Sequence, residues 1–442
     1  MKTWMGKPND IKSMNPGSTG TGWRVSPADI ERIMPFELLL DRIADERGDA
    51  WIAERRFLHT HPEPSGEETQ TTQFIADRLS AIGISPQIPK RGVGVIADLK
   101  IGTPAADSPI VAVRADIDGL RMQDRKSVDY ASRWSGVAHT CGHDVHTTVV
   151  LATAELLASL EQRLPESELP SAHLRFIFQP AEETAQGALW MVEDGALRGV
   201  TAILGLHVDP TIPVGKVGIR YGVLTAQVDE VLIKVSGRGG HAARPQHTSD
   251  PIGTAAMLVS ALYQAVPRRV DSLTPLVFTV GSIHGGTASN VIPDQVEITG
   301  TLRSIDLHTR DRVLNSIRQI CTGIAAATDN TIDVVYRNPL GSVTNDVTVT
   351  SAIEAASIQV LGGENIVIID RPSMGGEDFA VYIEHVRGAQ FRLGCAGPAG
   401  DWPLLHSPIF DIEEAAIPLG ARIMARTAMM LAMIGPESAA CR

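Results

Sequence analysis

Short apolar runs rich in β-branched residues alternate with longer amphipathic segments along most of the chain. "VGVIADL" (93–99) and "IVAVRAD" (110–116) are too short for helices and are bounded by Gly, Pro or Asp, which predicts strands. "VHTTVVLATAELLASLEQ" (145–162) has the length and pattern of a helix. "HLRFIF" (173–178) and "TAILGLH" (201–207) return to the strand pattern, with a helix expected near Gly187–Asp194 between them. A charged amphipathic helix precedes them all, at residues 36–60. Strands alternating with helices predict an α/β fold: a mixed, mostly parallel sheet with helices on both faces. Ligand sites of such sheets collect at strand ends. Polar, metal-competent residues stand there in this chain.

The order of elements changes between Ala226 and Tyr336. "QVDEVLIKVSG" reads as a strand, "DPIGTAAMLVSALYQAV" as a helix, and "LVFTVGSI" and "QVEITGTLRS" as two strands. "HTRDRVLNSIRQICTGIAAAT" is then a helix and "TIDVVY" a last strand. This β-α-β-β-α-β series predicts a ferredoxin-like α+β unit, able to fold alone. Alternation then resumes with a helix near 348–361, "NIVIID", "FAVYIEHV", "AQFRLG" and a closing helix after Ile412. The expected organisation is an N-terminal extension (1–35), a catalytic domain in two parts (36–225 and 337–442) and an inserted unit at 226–336.

Composition narrows the setting. At 442 residues the chain exceeds a single compact core. A net charge of −12 argues against nucleic acid or an anionic membrane as partner. No run approaches the roughly 18 apolar residues of a membrane span, and the polar start lacks the apolar core of a signal peptide. Four scattered cysteines do not make a disulfide framework, so a reducing cytoplasm is expected. Cys321 and Cys395 read as core thiols, and Cys441 as part of a disordered tail.

The candidate chemistry centres on "HTCGHDVHTT" (139–148). In an extended loop, residues i and i+2 point to one side, so Cys141 and His143 can converge, with Gly142 permitting a tight bend. Thiolate and imidazole together suit zinc or a similar divalent ion. The same residues also fit a buried thiol beside capping groups, or a thiol nucleophile activated by histidine. "FQPAEET" puts Glu182 and Glu183 after a strand, where adjacent carboxylates on extended backbone face different ways. "LGLHVDP" and "PLLHSP" add His207 and His406, each of which in isolation reads equally as a core or loop histidine. Together Cys141, His143, Glu183, His207 and His406 supply the ligands that two nearby divalent ions require, with Glu182 left free as a base.

In this order, "HTHPE", "RADIDGL", "CGHDVH", "QPAEE", "GGHAARP", "GGTASNVIPD", "MGGEDFA" and "LHSP" closely resemble the co-catalytic metallopeptidases and their amidohydrolase relatives. The branch it is similar to holds hippurate hydrolase, aminoacylase-like enzymes and the plant indoleacetyl-amino acid hydrolases. The resemblance spans residues 50–435. It implies that Cys141, His143, Glu183, His207 and His406 bind two divalent ions (Zn, Mn, Co or Ni), and that Glu182 deprotonates a water bridging them. Asp116, Asp118, Asp144 and His146 would support the site from behind. His241 would reach the substrate carbonyl, often in a partner subunit's site, while Asn290 and Arg303 bind the substrate carboxylate. A homodimer or higher oligomer formed through the inserted unit is implied. The expected reaction is hydrolysis of an N-acyl-amino acid; the rivals are a dipeptidase or carboxypeptidase on the same scaffold, or a non-catalytic metal-binding relative. Gly119, Arg121 and Val145 depart from the family's usual residues, which bears on substrate identity.

Overall fold

The apolar runs pair into one large sheet to which both halves of the chain contribute. The computed structural model describes residues 34–106, 108–398 and 402–434; the N-terminal extension up to residue 33, and Cys441, lie outside the described residues. Helices α1 (Met34–Thr60) and α2 (Thr69–Ala81) lead into β1 (Pro86–Gln87), β2 (Val95–Ile101) and β3 (Ile110–Asp116). Then follow α3 (His143–Arg163), β4 (Ala172–Gln179), α4 (Gly187–Glu193), β5 (Val200–Pro213) and β6 (Val217–Ile219). The middle of the chain forms β7 (Gln227–Ser236), α5 (Pro251–Ala265), β8 (Leu276–His284), β9 (Gln295–Ser304), α6 (Leu307–Thr328) and β10 (Thr331–Leu340). The chain continues through α7 (Val347–Leu361), β11 (Ile366–Ile368), α8 (Phe379–Ile383), β12 (Arg387–Ala396) and α9 (Ala416–Ile434).

The large sheet has the order β1-β2-β4-β3-β5-β12-β6-β11. Its centre, β4-β3-β5-β12, is parallel, with antiparallel pairs at β1–β2, β2–β4 and β12–β6. Strands covered on both faces read as near-continuous apolar runs, and β4 shows it: Phe176 and Phe178 enter one core, Ile177 the other. The larger core lies under α1, α3, α7 and α9 and includes Leu40, Trp51, Val149 and Met429. The smaller lies under α4 and α8, with Met191, Ile203 and Phe379.

The middle segment forms a separate antiparallel sheet, β8-β9-β7-β10. Helices α5 and α6 bury a core of Val231, Ile233, Val235, Leu258 and Ile317 against it. Its last strand runs beyond Tyr336 to Leu340. Among the described residues no helix is long and apolar enough to cross a membrane. Cys321 and Cys395 are buried free thiols.

One polar knot fastens α1 to the start of α3. The Arg55 guanidinium, 0% exposed, lies 2.7 Å from Oδ2 of Asp144, also 0% exposed, and 3.1 Å from Asp411. His59 Nδ1 approaches the same Asp144 oxygen at 2.7 Å. Burial works against the ionised carboxylate, but Arg55 and then His59 hold Asp144 well below its ordinary pKa. The motif order places Asp144 behind the candidate ligands. Its carboxylate instead faces Arg55 and His59, because α3 turns that residue toward α1. Arg55→Ala leaves a buried charge unpaired, which costs about 3–5 kcal/mol. Thermal or denaturant unfolding should show that loss, and a melting point within a degree or so of wild type would contradict it.

Candidate metal centre

Two backbone features aim the candidate ligands. Gly142 adopts φ 86° as the residue before α3, a left-handed bend that lets Cys141 and His143, the first helical residue, face one point. A Cβ there would meet Val208 Cγ2 at 2.4 Å. The convergence comes from this bend, not from an extended loop. Glu182 and Glu183 likewise sit on a turn after β4, between Ala181 at φ 51° and Ala185 at φ 53°. Left-handed alanines store strain and persist only when the surroundings enforce them. Here Gly187 packs so closely that a Cβ would stand 1.5 Å from the Pro180 carbonyl oxygen. The Ala181 N–H donates to Glu68 Oε1 at 2.8 Å, and the Glu183 N–H to Asp118 Oδ2 at 3.1 Å. His207 lies within β5, which continues to Pro213, so it does not end its strand as the sequence suggested. His406 is also left-handed, at φ 62°, and its N–H donates to the Thr140 carbonyl at 2.8 Å.

These segments bring all five candidate ligands together. Cys141 Sγ lies 3.5 Å from His207 Nε2 and 3.3 Å from His406 Nε2. Glu183 Oε1 is 3.6 Å from His406 Nε2 and 3.9 Å from His143 Nε2. Glu182 Oε2 lies 3.9 Å from His143 Nε2. The atoms of Cys141, His143 and His207 fall within 4.8 Å of one another, as do those of Cys141, Glu183 and His406. Two triplets sharing Cys141 therefore account for the set.

The donor set fits divalent cations. One thiol hydrogen cannot serve two imidazoles. A zinc-like ion with bonds of about 2.3 Å to sulfur and 2.0–2.1 Å to nitrogen at tetrahedral angles separates those atoms by roughly 3.6 Å. His143 Nδ1 is 3.0 Å from both Oδ1 and the carbonyl oxygen of Asp118, which only accept, so Nδ1 carries the proton. That leaves Nε2 as the ring nitrogen facing the cluster, buried and without a hydrogen-bond partner. Glu183 Oε1 is orphaned in the same way. Burial also raises the pKa of Cys141, Glu182 and Glu183, so each gains by a positive charge among them.

The supporting residues divide by their bonds. His146 Nδ1 lies 2.6 Å from Asp116 Oδ1, and its Nε2 accepts the Val208 N–H at 2.9 Å. Both ring nitrogens are committed, so His146 braces the strand that bears His207 and cannot ligate. Burial keeps His207 neutral, its pKa well below the usual value, and its Nδ1 meets the Val208 carbonyl at 2.8 Å, freeing Nε2. Arg114 had no assigned part, yet its fully buried guanidinium donates to Asp116 at 2.7 Å, Asp378 at 2.9 Å and Glu377 at 3.2 Å. Arginine inside an apolar strand demands such partners, and that was the available signal in "IVAVRAD". Glu377 and Asp378 are thus held by Arg114. Burial, then Glu377 and Asp378, push Glu182 well above the ordinary carboxyl pKa.

The cluster opens onto a cleft of about 830 Å³ walled by both sheets, with Arg303 of β9 in its lining. His241 and Asn290 are exposed neighbours, the Ala242 N–H donating to the Asn290 carbonyl at 3.1 Å, and neither lines this cleft. Gly119, Arg121 and Val145 do not line it either: Arg121 pairs with Glu67 on the surface and Val145 is core. Asn338 and Arg392 are among the lining residues that the motifs do not mark.

The model of peptidase family M20/M25/M40 matches residues 112–430. The chain belongs to that family. As a member it is a hydrolase of amide bonds. An N-acetylcysteine deacetylase of Bacillus subtilis is 38% identical over 378 residues, covering 85% of this chain and 95% of that relative. IAA-amino acid hydrolase ILR1-like 4 of Arabidopsis thaliana is 36% identical over 386 residues, 86% of this chain and 85% of the relative. The crystal structure of the Bacillus subtilis YXEP protein, titled a dinuclear metal binding peptidase from the M20 family, matches with a TM-score of 0.75 and 34% identity. It covers 88% of this chain and 99% of that one.

The Asp118–His143 contact makes a prediction for this M20-family enzyme. Asp118→Asn should weaken metal retention about 10–100-fold, read by chelator competition. Unchanged retention would show that Asp118 does not orient His143.

Proposed function

We propose that this M20-family enzyme hydrolyses N-acyl-amino acids, using two divalent ions and Glu182 as general base. The observation that carries the reading is the buried, unpartnered pair His143 Nε2 and Glu183 Oε1, facing a thiol shared by two more imidazoles. Cys141, His143, Glu183, His207 and His406 would hold the ions. Such ions, when bound, polarise an amide carbonyl and lower the pKa of water toward ~7.

The chain's own groups then divide the work. Glu182 is the carboxylate left over at the cluster; it takes the proton of the attacking water and returns it to the leaving amine. Asp118, through His143 Nδ1, keeps the facing nitrogen an acceptor. Arg303 donates through one Nη to the Met374 carbonyl at 2.9 Å, which fixes its fork while leaving donors for a substrate carboxylate. The unit at 226–336 serves as a lid that brings Arg303 over the cleft. His241 and Asn290, outside their own chain's cleft, suit completing the site of a second copy, which makes a homodimer part of the reading. The relatives named for N-acetylcysteine and for IAA-amino acids favour an acyl-amino acid over a free peptide.

Glu182→Gln should keep its metal content and lose about 10²–10⁴-fold in kcat; near-normal turnover by the metal-loaded variant would remove Glu182 from the mechanism. Arg303→Ala should raise KM for an N-acyl-amino acid roughly 10-fold or more, and an unchanged KM would contradict its role. Comparing an N-acetyl-amino acid with a free dipeptide tests the substrate class. Preference for the dipeptide would favour a dipeptidase.

A further inference from the structure

The cleft holds a second guanidinium that the reading above does not use. Arg392 lies in β12, directly paired with His207 of the adjacent parallel strand β5. Cross-strand partners in register point to one face of the sheet, so Arg392 rises beside His207, and both line the cleft. On its other side Arg392 pairs with Gly218 of β6. That residue has no side chain to cover it.

The Arg392 side chain makes no hydrogen bond and no ion pair among the described residues. Burial disfavours its charge, and Glu377, Asp209 and Glu182 offset that only in part, from a distance and without an ion pair. The buried Arg55 and Arg114, by contrast, each reach several carboxylates. A guanidinium that lines a cleft with its donors uncommitted is free to receive an anion there. An ordinary N-acyl-amino acid carries one carboxylate, and one arginine fork satisfies it. With Arg303 assigned to that carboxylate, Arg392 is in excess.

We propose that Arg392 receives a second carboxylate of the substrate, so that the preferred N-acyl-amino acids are dianions. The extra carboxylate belongs either to a dicarboxylic acyl group or to an acidic amino-acid side chain; the chemistry at Arg392 is the same. The inference rests on the N-acyl-amino acid reading above.

The test compares kcat/KM for N-succinyl-L-alanine, N-acetyl-L-glutamate and N-acetyl-L-alanine, using the metal-loaded full chain as wild type, Arg392→Gln and Arg392→Lys. At least one dianion should exceed N-acetyl-L-alanine by roughly tenfold or more, the worth of a charge-assisted hydrogen bond. Arg392→Gln should erase that ratio and Arg392→Lys restore part of it. Preference for the succinyl substrate places the second carboxylate on the acyl side, preference for the glutamate on the amino-acid side. No dianion preference, or an equal loss for all three substrates, overturns the proposal. Calorimetric binding of glutarate against butyrate separates this inference from the hydrolase reading. If nothing is hydrolysed, glutarate binding tighter in an Arg392-dependent way supports Arg392 while the proposed function falls. Equal binding of the two acids overturns both.

Discussion

A buried imidazole that commits one nitrogen to a carboxylate is fixed in orientation, and its other nitrogen faces whatever the fold sets opposite. His143 is in that position: Asp118 takes Nδ1, and Nε2 points at a thiol, two carboxylates and two further histidines. The rest of the centre follows from keeping that nitrogen in place. Asp118 also accepts from the Glu183 N–H and from Ser65 Oγ, the latter at 2.6 Å. One carboxylate therefore sets the imidazole and the turn that bears both glutamates. Asp116, two residues earlier on the same strand, does the equivalent for His146 and, through Val208, for the strand carrying His207.

The sheet explains why residues so far apart in sequence meet. Parallel strands β3, β4, β5 and β12 lie side by side and point their carboxyl ends the same way. The loops after β3 and β4 and the segment preceding α3 open at that edge, and His406 arrives on the loop after β12. Because β12 comes from the second half of the chain and pairs with β5, His207 and Arg392 become neighbours. Arg114 closes the arrangement from beneath, joining the end of β3 to Glu377 and Asp378. The interior here is polar, and His143 Nε2 and Glu183 Oε1 are among its buried atoms without a hydrogen-bond partner.

The elements themselves were legible in the pattern of apolar residues. β2, β3, β4, α3 and the β-α-β-β-α-β series fall where the periodicity puts them, since burial on one or both faces leaves a direct mark on sequence. The five candidate ligands were legible through the order of motifs. What was not legible depends on three-dimensional company. Asp144 sits one residue from a candidate ligand yet faces Arg55, because α3 rotates it by about 100° relative to His143. The left-handed bends at Gly142 and Ala181 replace the extended geometry that spacing suggested, and a third, at His406, left no mark in the pattern. Arg392 looked like an unremarkable charge in "AQFRLG"; only the pairing of β12 with β5 puts it in the cleft.

The central claim is that this cluster binds two cations through those side chains. Anomalous diffraction from crystals of the metal-loaded protein measures it directly. Two neighbouring peaks are expected, both bonded within the set Cys141, His143, Glu183, His207 and His406, with Glu182 bonded to neither. A single peak, or density elsewhere with the Cys141 sulfur unliganded, would contradict the account.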